Sequence, residues 1–263
     1  MNDELLELAR AVGREAALYV AGARPQGRVE VSSTKSSPTD VVTKIDEACE
    51  LLIRSLILKS RPDDGFQGEE GDDVEGSSGV SWIVDPIDGT VNFVYGLPFY
   101  AVSIAAAIDG EVEVGYVINI ANADEFAAIR GRGSWSLTTE GPTLLKAPVV
   151  ERLDHALVAT GFSYVPAVRT AQAEAVAKLL PHVRDIRRTG SAALDLCGLA
   201  AGSFDAFVEQ GLKPWDLAAG GLIASEAGID VSGIDGRPDE RLVMAAHPSV
   251  SGEFFALVRA CGF

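Results

Sequence analysis

Apolar residues near the start of the chain recur at three- and four-residue steps: Leu5, Leu8, Val12, Ala16 and Tyr19. That spacing predicts an amphipathic helix with one stripe turned to a core. Gly22 and Pro25 end it. Residues 27–38 are polar and serine-rich and read as a loop. A second helix carries Ile45, Cys49, Leu52, Ile53 and Leu56 on one face and stops at Pro62. Residues 65–79 are acidic and rich in Gly and Ser, which again reads as a loop. The period then changes. Residues 81–84 read as a short buried strand running straight into Asp85-Pro86-Ile87-Asp88-Gly89-Thr90. Strands at 100–108 and 111–118 are joined by Asp109-Gly110, a two-residue hairpin turn, and shorter strands follow at 125–129 and 135–137.

The second half alternates. Strands are expected at 156–159, 184–188, 206–209 and 242–246, and helices at 171–180, 192–201, 217–227 and 252–260. The first part, 1–145, is thus two helices and an antiparallel meander, and the second, 146–263, is α/β. The boundary falls within 142–151, and the two parts read as one compact unit.

Composition narrows the functions. Of 263 residues, 47% are hydrophobic, which fits a globular chain and not a disordered tail. Lys and Arg number 22 against 38 Asp and Glu, a formal net charge of −16. That balance argues against nucleic-acid binding and against docking on an anionic membrane. So acidic a protein repels phosphorylated ligands unless cations intervene. Cys49, Cys197 and Cys261 are odd in number and lack CxxC spacing, so neither a disulfide framework nor a zinc ribbon is expected. The first residues are acidic where a signal peptide is basic, and no long apolar run offers a membrane span. A soluble cytoplasmic protein is the expectation.

Asp85 and Asp88 stand three apart at the end of a buried strand, with Pro86 stiffening the turn and Gly89 allowing close backbone approach. Two carboxylates so placed repel, and one takes up a proton unless a cation sits between them. Oxygen-only ligands suit Mg²⁺ or Mn²⁺. The N–H groups of Gly89 and Thr90 then form a phosphate cradle. A bare Asp-x-x-Asp is more often an Asx-turn; the surrounding strand and DPIDGT segment reverse those odds. Taken singly, Glu69-Glu70 is a solvated charge run, and Asp216 an N-cap to the following apolar helix. Gly190-Ser191 is likewise an N-cap or an anion site. His155, His182 and His247 lie in no motif and read as structural or surface residues.

Together these segments resemble the inositol monophosphatase family of Mg²⁺-dependent, lithium-sensitive phosphatases. Trp82-Ile83-Val84-Asp85-Pro86-Ile87-Asp88-Gly89-Thr90-Val91-Asn92-Phe93 is one signature, and Trp215-Asp216-Leu217-Ala218-Ala219-Gly220 with Glu226-Ala227-Gly228 is the other. Lys35-Ser36-Ser37-Pro38-Thr39-Asp40, Thr43-Lys44-Ile45-Asp46, Gly68-Glu69-Glu70 and Gly190-Ser191-Ala192-Ala193 support it, in family order over 35–228. Ile229 departs from the family's usual glycine, and the loop Thr160-Gly161-Phe162-Ser163-Tyr164 has no clear register against it.

The resemblance implies an α/β (α+β) fold, a layered αβαβα sandwich, and a homodimer. It implies that Glu69, Asp85 and the Ile87 carbonyl bind one Mg²⁺, that Asp85, Asp88 and Asp216 bind a second, and that a third, weaker ion lies near Glu69. Thr90, bonded to Asp46, would activate a water together with Glu69. Gly89 and Thr90 would hold the phosphate. Gly190, Ser191, Ala192 and Glu209 would line the alcohol side of the substrate, with Asp216 adjoining. Apart from the resemblance, Lys35, in the serine-rich segment, reads equally as a lid over the metals or as a solvated loop lysine. The substrate implied is inositol-1-phosphate or a related polyol or sugar monophosphate. Rivals within the family are fructose-1,6-bisphosphatase, histidinol-phosphatase and adenosine 3′,5′-bisphosphate phosphatase. Outside it stands a regulatory or RNA-machinery partner that keeps the fold without needing catalysis.

Overall fold

Helix α1 (Asn2–Ala23) buries Leu5, Ala9, Val12, Ala16 and Val20. Tyr19, expected on that stripe, is exposed because Val20 takes the inward direction on the last turns. This computed structural model describes residues 1–35 and 41–263, so all but Lys35 of the Lys35–Asp40 motif lies outside the described residues. A short strand, β1 (Ser33–Thr34), pairs antiparallel with β2 (Val41–Val42) within the expected loop region. Helix α2 (Lys44–Ser60) opens on a capping box. The Thr43 side chain accepts from Asp46 N–H, and the Asp46 carboxylate accepts from Thr43 N–H.

A seven-stranded sheet follows in chain order: β3 (Gly65–Gly68), β4 (Val80–Asp88), then, after the single-turn helix α3 (Thr90–Tyr95), β5 (Ala101–Ile108), β6 (Glu111–Asn119), β7 (Glu125–Ile129), β8 (Gly133–Thr138) and β9 (Gly141–Leu144). All neighbours are antiparallel except β3, which runs parallel to β4. Its residues were expected in a loop. Phe66, sunk in the core opposite Trp82, overrides that Gly-rich acidic composition. Strand β4 also runs further than residue 84. It continues to Asp88, with its register against β5 shifting between Asp85 and Asp88, where Pro86 offers no N–H to the ladder.

The second sheet is built from β10 (Leu157–Thr160), helix α4 (Pro166–Leu179), β11 (Asp185–Arg187), helix α5 (Ala192–Ala200), β12 (Ala206–Glu209), helix α6 (Pro214–Glu226), β13 (Asp230–Ser232), β14 (Val243–Ala246) and helix α7 (Pro248–Cys261). The strand order is β11-β10-β12-β14-β13, parallel at β10 and antiparallel around β14. Helices α4, α6 and α7 each begin several residues earlier than their apolar periodicity suggests. Each starts on a proline, whose missing N–H costs nothing in the first turn.

Four apolar seams separate five layers. Helices α1 and α2 pack on one face of the first sheet through Leu5, Val12, Cys49, Ile53, Trp82 and Tyr116. Its other face, lined by Ala101, Ala105, Val117 and Ala128, meets α5 and α6. Those helices in turn cover the second sheet, whose far face carries α4 and α7. The sandwich is therefore αβαβα. Among the described residues no helix is long and apolar enough to cross a membrane.

The central seam is tight. A Cβ on Gly115 of β6 would stand 2.8 Å from the carbonyl oxygen of Ala219 in α6. Side chains cannot yield there, because the obstacle is backbone. Gly115→Val should therefore destabilise the protein by about 1–3 kcal/mol through overpacking. Thermal unfolding measures this; an unchanged melting temperature would show that α6 has slack against the sheet.

Candidate metal and phosphate site

Three carboxylates converge where the layers meet. Asp85 and Asp88 come from the end of β4, and Asp216 from the first turn of α6. One oxygen from each lies within 4.8 Å of the others. Asp216 is not the N-cap expected of it. Lys213 holds that position, and Asp216 sits three residues on, accepting from Lys213 N–H at 2.6 Å. The early start on Pro214 moves it inside the helix.

Each acid is held in a fixed pose. Asp85 Oδ1 accepts from Ile87 N–H at 2.9 Å. Asp88 Oδ2 accepts from the Ser191 hydroxyl at 2.5 Å and from Ala193 N–H at 2.8 Å, at the start of α5. The Ser191 hydroxyl is thereby engaged with Asp88, while its oxygen caps α5 by accepting from Leu194 N–H. What Ser191 and its neighbours Gly190 and Ala192 have left for a ligand is backbone.

Glu69 and Glu70 approach from the end of β3. Lys35 Nζ bridges them, 2.7 Å from Glu69 Oε1 and 2.9 Å from Glu70 Oε1. Glu50, from α2, reaches beneath the turn and accepts from Glu70 N–H at 2.7 Å. Thr90 Oγ1 lies 3.1 Å from Asp46 Oδ1 and 3.1 Å from the Ile87 carbonyl oxygen. One hydroxyl proton serves only one of these at a time. Gly89, ahead of Thr90, has φ +96°, a conformation glycine adopts without strain.

The electrostatics are one-sided. Burial and the charges of Glu69, Asp88 and Asp216 push the Asp85 carboxyl well above the usual aspartate range. Asp216 rises likewise from burial, Asp88 and Glu69. Burial raises Asp88 to about 6 against its bonds from Ser191 and Ala193, and Asp46 to about 6 against its bonds from Thr43 and Thr90. Burial and Glu69 lift Glu70 to about 7. For Lys35, burial favours deprotonation but is outweighed by Glu69 and Glu70, so its ammonium is held charged.

Glu209, at the end of β12, is half-buried and leans on Gly161, leaving no room for a side chain there. Burial, Asp195 and Asp216 raise its carboxyl well above the ordinary glutamate value, with Arg188 opposing. Asp195, in α5, is raised to about 8 by burial and accepts from the Thr189 hydroxyl. The three histidines stand apart from this site; His247 instead accepts from Ser249 N–H at the start of α7.

Several supporting residues carry little signal of their role in the sequence. Thr43 has one, since Thr-x-x-Asp is the spacing of a capping box. Glu50 and Asp195 sit on apolar helix faces and carried no signal. Gly161 lay in the loop without a clear register. Asn92 is 3% exposed and joins segments far apart in the chain, donating to the carbonyls of Phe99 and Thr189.

Comparison with known proteins shows which family the fold belongs to. A family model described as the inositol monophosphatase family matches residues 1–261. The inositol-1-monophosphatase of Mycobacterium bovis is 42% identical over 273 residues, covering 97% of this chain and 93% of that protein. A Nus factor SuhB of Escherichia coli is 39% identical over 234 residues, covering 87% and 86%. The solved structure of Mycobacterium tuberculosis SuhB superposes with a TM-score of 0.85 at 40% identity, covering 99% of this chain and 98% of that one. The chain belongs to the inositol monophosphatase family.

Proposed function

We propose that the chain is a Mg²⁺-dependent phosphomonoesterase for inositol-1-phosphate and related polyol or sugar monophosphates. The observation that carries this reading is the trio Asp85, Asp88 and Asp216. These are three carboxylates with one oxygen each within 4.8 Å of the others, all raised by burial and by neighbouring carboxylates, Glu69 among them. The donor set is all oxygen, and Lys35 pairs with Glu69 and Glu70 instead. Such a set fits a hard divalent cation. Glu69, Asp85, the Ile87 carbonyl, Asp88 and Asp216 would hold Mg²⁺, in two or three ions, with Mn²⁺ as substitute. Bound there, the metal supplies charge neutralisation for the phosphate, activation of water and stabilisation of the leaving alkoxide.

The chain's own groups do the rest. Thr90 donates its hydroxyl hydrogen bond to Asp46, which leaves the threonine oxygen free to accept a hydrogen bond from the attacking water and orient it; the Glu69 carboxylate takes up the proton that the water gives up as it attacks. The N–H groups of Gly89 and Thr90 hold the phosphate. Backbone of Gly190, Ser191 and Ala192 faces the alcohol, and Glu209 accepts from its hydroxyls. The name of the E. coli relative, a Nus factor, supports a second reading, a regulatory or RNA-machinery partner that keeps the fold. Phosphate release across a panel of monophosphates, with and without EDTA, decides between them. Activity that EDTA abolishes supports the phosphatase; an inert chain that still binds Mg²⁺ favours the partner.

The acids also set a pH dependence. Asp88 and Asp46 lie at about 6 in the folded chain, against about 4 for ordinary aspartate. Folded-state values above the unfolded ones mean that stability present at low pH is lost as pH rises through about 6. The EDTA-treated protein should thus melt at a lower temperature at pH 8 than at pH 5.5. Mg²⁺ should restore more at pH 8, where it displaces fewer protons. An equal Mg²⁺ shift at both pH values would contradict a metal site built on these acids.

Thr90→Ala should lower kcat by roughly a hundredfold or more, the usual scale for a positioned proton-transfer group, and leave the Mg²⁺-induced melting shift intact. A kcat near wild type would remove Thr90 from the chemistry. Glu209→Gln should raise KM for inositol-1-phosphate several-fold and leave p-nitrophenyl phosphate, which has no hydroxyls, nearly unchanged. Equal effects on both esters, or none on either, would reject the hydroxyl contact.

A further inference from the structure

Asn92 belongs to the signature that contains Asp85 and Asp88, yet touches neither. It is almost wholly buried, and its amide nitrogen makes two bonds in different directions. One goes to Phe99 O at 2.7 Å and the other to Thr189 O at 2.8 Å, across 97 residues of chain. Both amide protons are engaged.

The second bond matters most. A peptide unit is planar and trans, so fixing the Thr189 carbonyl toward Asn92 turns the Gly190 N–H to the opposite side. Among the described residues that N–H has no hydrogen-bond partner. Gly190 has φ +97°, and a Cβ there would lie 2.9 Å from Asn92 Nδ2, so the loop rests directly on the amide. The next residues are tied to the other side of the same turn, Ser191 and Ala193 both donating to Asp88. The Thr189 side chain is anchored separately on Asp195. Loop 189–193 thus hangs between the Asp88 carboxylate and the Asn92 amide, which lie four residues apart on one turn of chain.

We propose that Asn92 is a positioning residue that sets the alcohol-side loop in register with the phosphate-side turn, and so governs selectivity for esters whose alcohol carries hydroxyls. This rests on the phosphatase reading above. The buried amide does not meet substrate. It fixes the separation between the turn that carries Asp88, Gly89 and Thr90 and the backbone of Gly190, Ser191 and Ala192. An ester that uses both sides needs that separation held; an ester that uses only the phosphate side does not. Near-attack geometry is sensitive to displacements of about 1 Å, which is the scale a lost clasp would permit.

The test compares two esters in two variants. Asn92→Ala removes the clasp, and Asn92→Asp keeps its shape while deleting both donors. For each, kcat/KM is measured for inositol-1-phosphate and for p-nitrophenyl phosphate, with the melting temperature as a control. The expected result is a fall of about tenfold or more for the inositol ester and less than about threefold for the aryl ester, in both variants. A role in folding alone would lower the melting temperature and depress both esters alike, and that outcome overturns the inference while leaving the phosphatase reading intact. A wild-type chain inert toward both esters overturns the phosphatase reading, and the inference with it. Should neither Asn92 variant fold, Thr189→Ala releases the same loop from its Asp195 anchor. It should shift the ratio of the two esters in the same direction, and an unchanged ratio counts against the inference.

Discussion

Repulsion among buried carboxylates is the constraint around which this molecule is arranged. Asp85, Asp88 and Asp216 come from two layers of the sandwich and are brought within 4.8 Å of one another. Left alone, they would drive the layers apart or take up protons. The fold answers with hydrogen-bond donors: Ile87 N–H on Asp85, Ser191 and Ala193 on Asp88, Lys213 N–H on Asp216. Two of these acids also sit against the first turns of α5 and α6, whose dipoles favour negative charge. These contributions make the convergence tolerable; they do not neutralise it. The remaining field is what suits the site to a metal cation.

Holding that arrangement requires the central seam to be unyielding. Small residues face each other across it, Ala101, Ala105 and Ala128 of the first sheet against Ala193 and Ala219 of the helices. Helix α6 therefore lies close to the strands, with Gly115 under Ala219. Asp216 inherits its place from that contact. The small side chains that look like weak core builders are what bring a helix-borne acid within reach of two strand-borne ones.

Much of this was legible in the chain. Most elements announce themselves by period, and the strand at Glu125–Ile129 falls where alternation puts it. The acids at Asp85 and Asp88 stand out because proline and glycine bracket them at a strand end. What escaped detection did so for definite reasons. Strand β3 is four residues of mostly glycine and polar composition whose pairing depends on Phe66 finding a distant core. The first turn of α6 begins on Lys213-Pro214-Trp215, with no apolar repeat, so Asp216 reads as a cap and not as a residue inside the helix. Glu50 and Asp195 are buried acids on helices, and only the packed chain reveals what they face. Asn92 could be seen in a motif, but its two acceptors lie in segments no local pattern connects.

The site's two flanks are attached by different forces. Asp85, Asp88 and Asp216 are fixed by short-range hydrogen bonds and close packing, which dissolved ions barely affect. Glu69 and Glu70, placed by the end of β3 and by the Glu50 bond to Glu70 N–H, are further tied to Lys35, whose side chain keeps 30% of its surface in solvent. Coulomb attraction of that kind weakens as ionic strength rises. The Lys35 tie is therefore the salt-sensitive one: rising ionic strength should loosen the ammonium's hold on Glu69 and Glu70 while the three aspartates keep their poses.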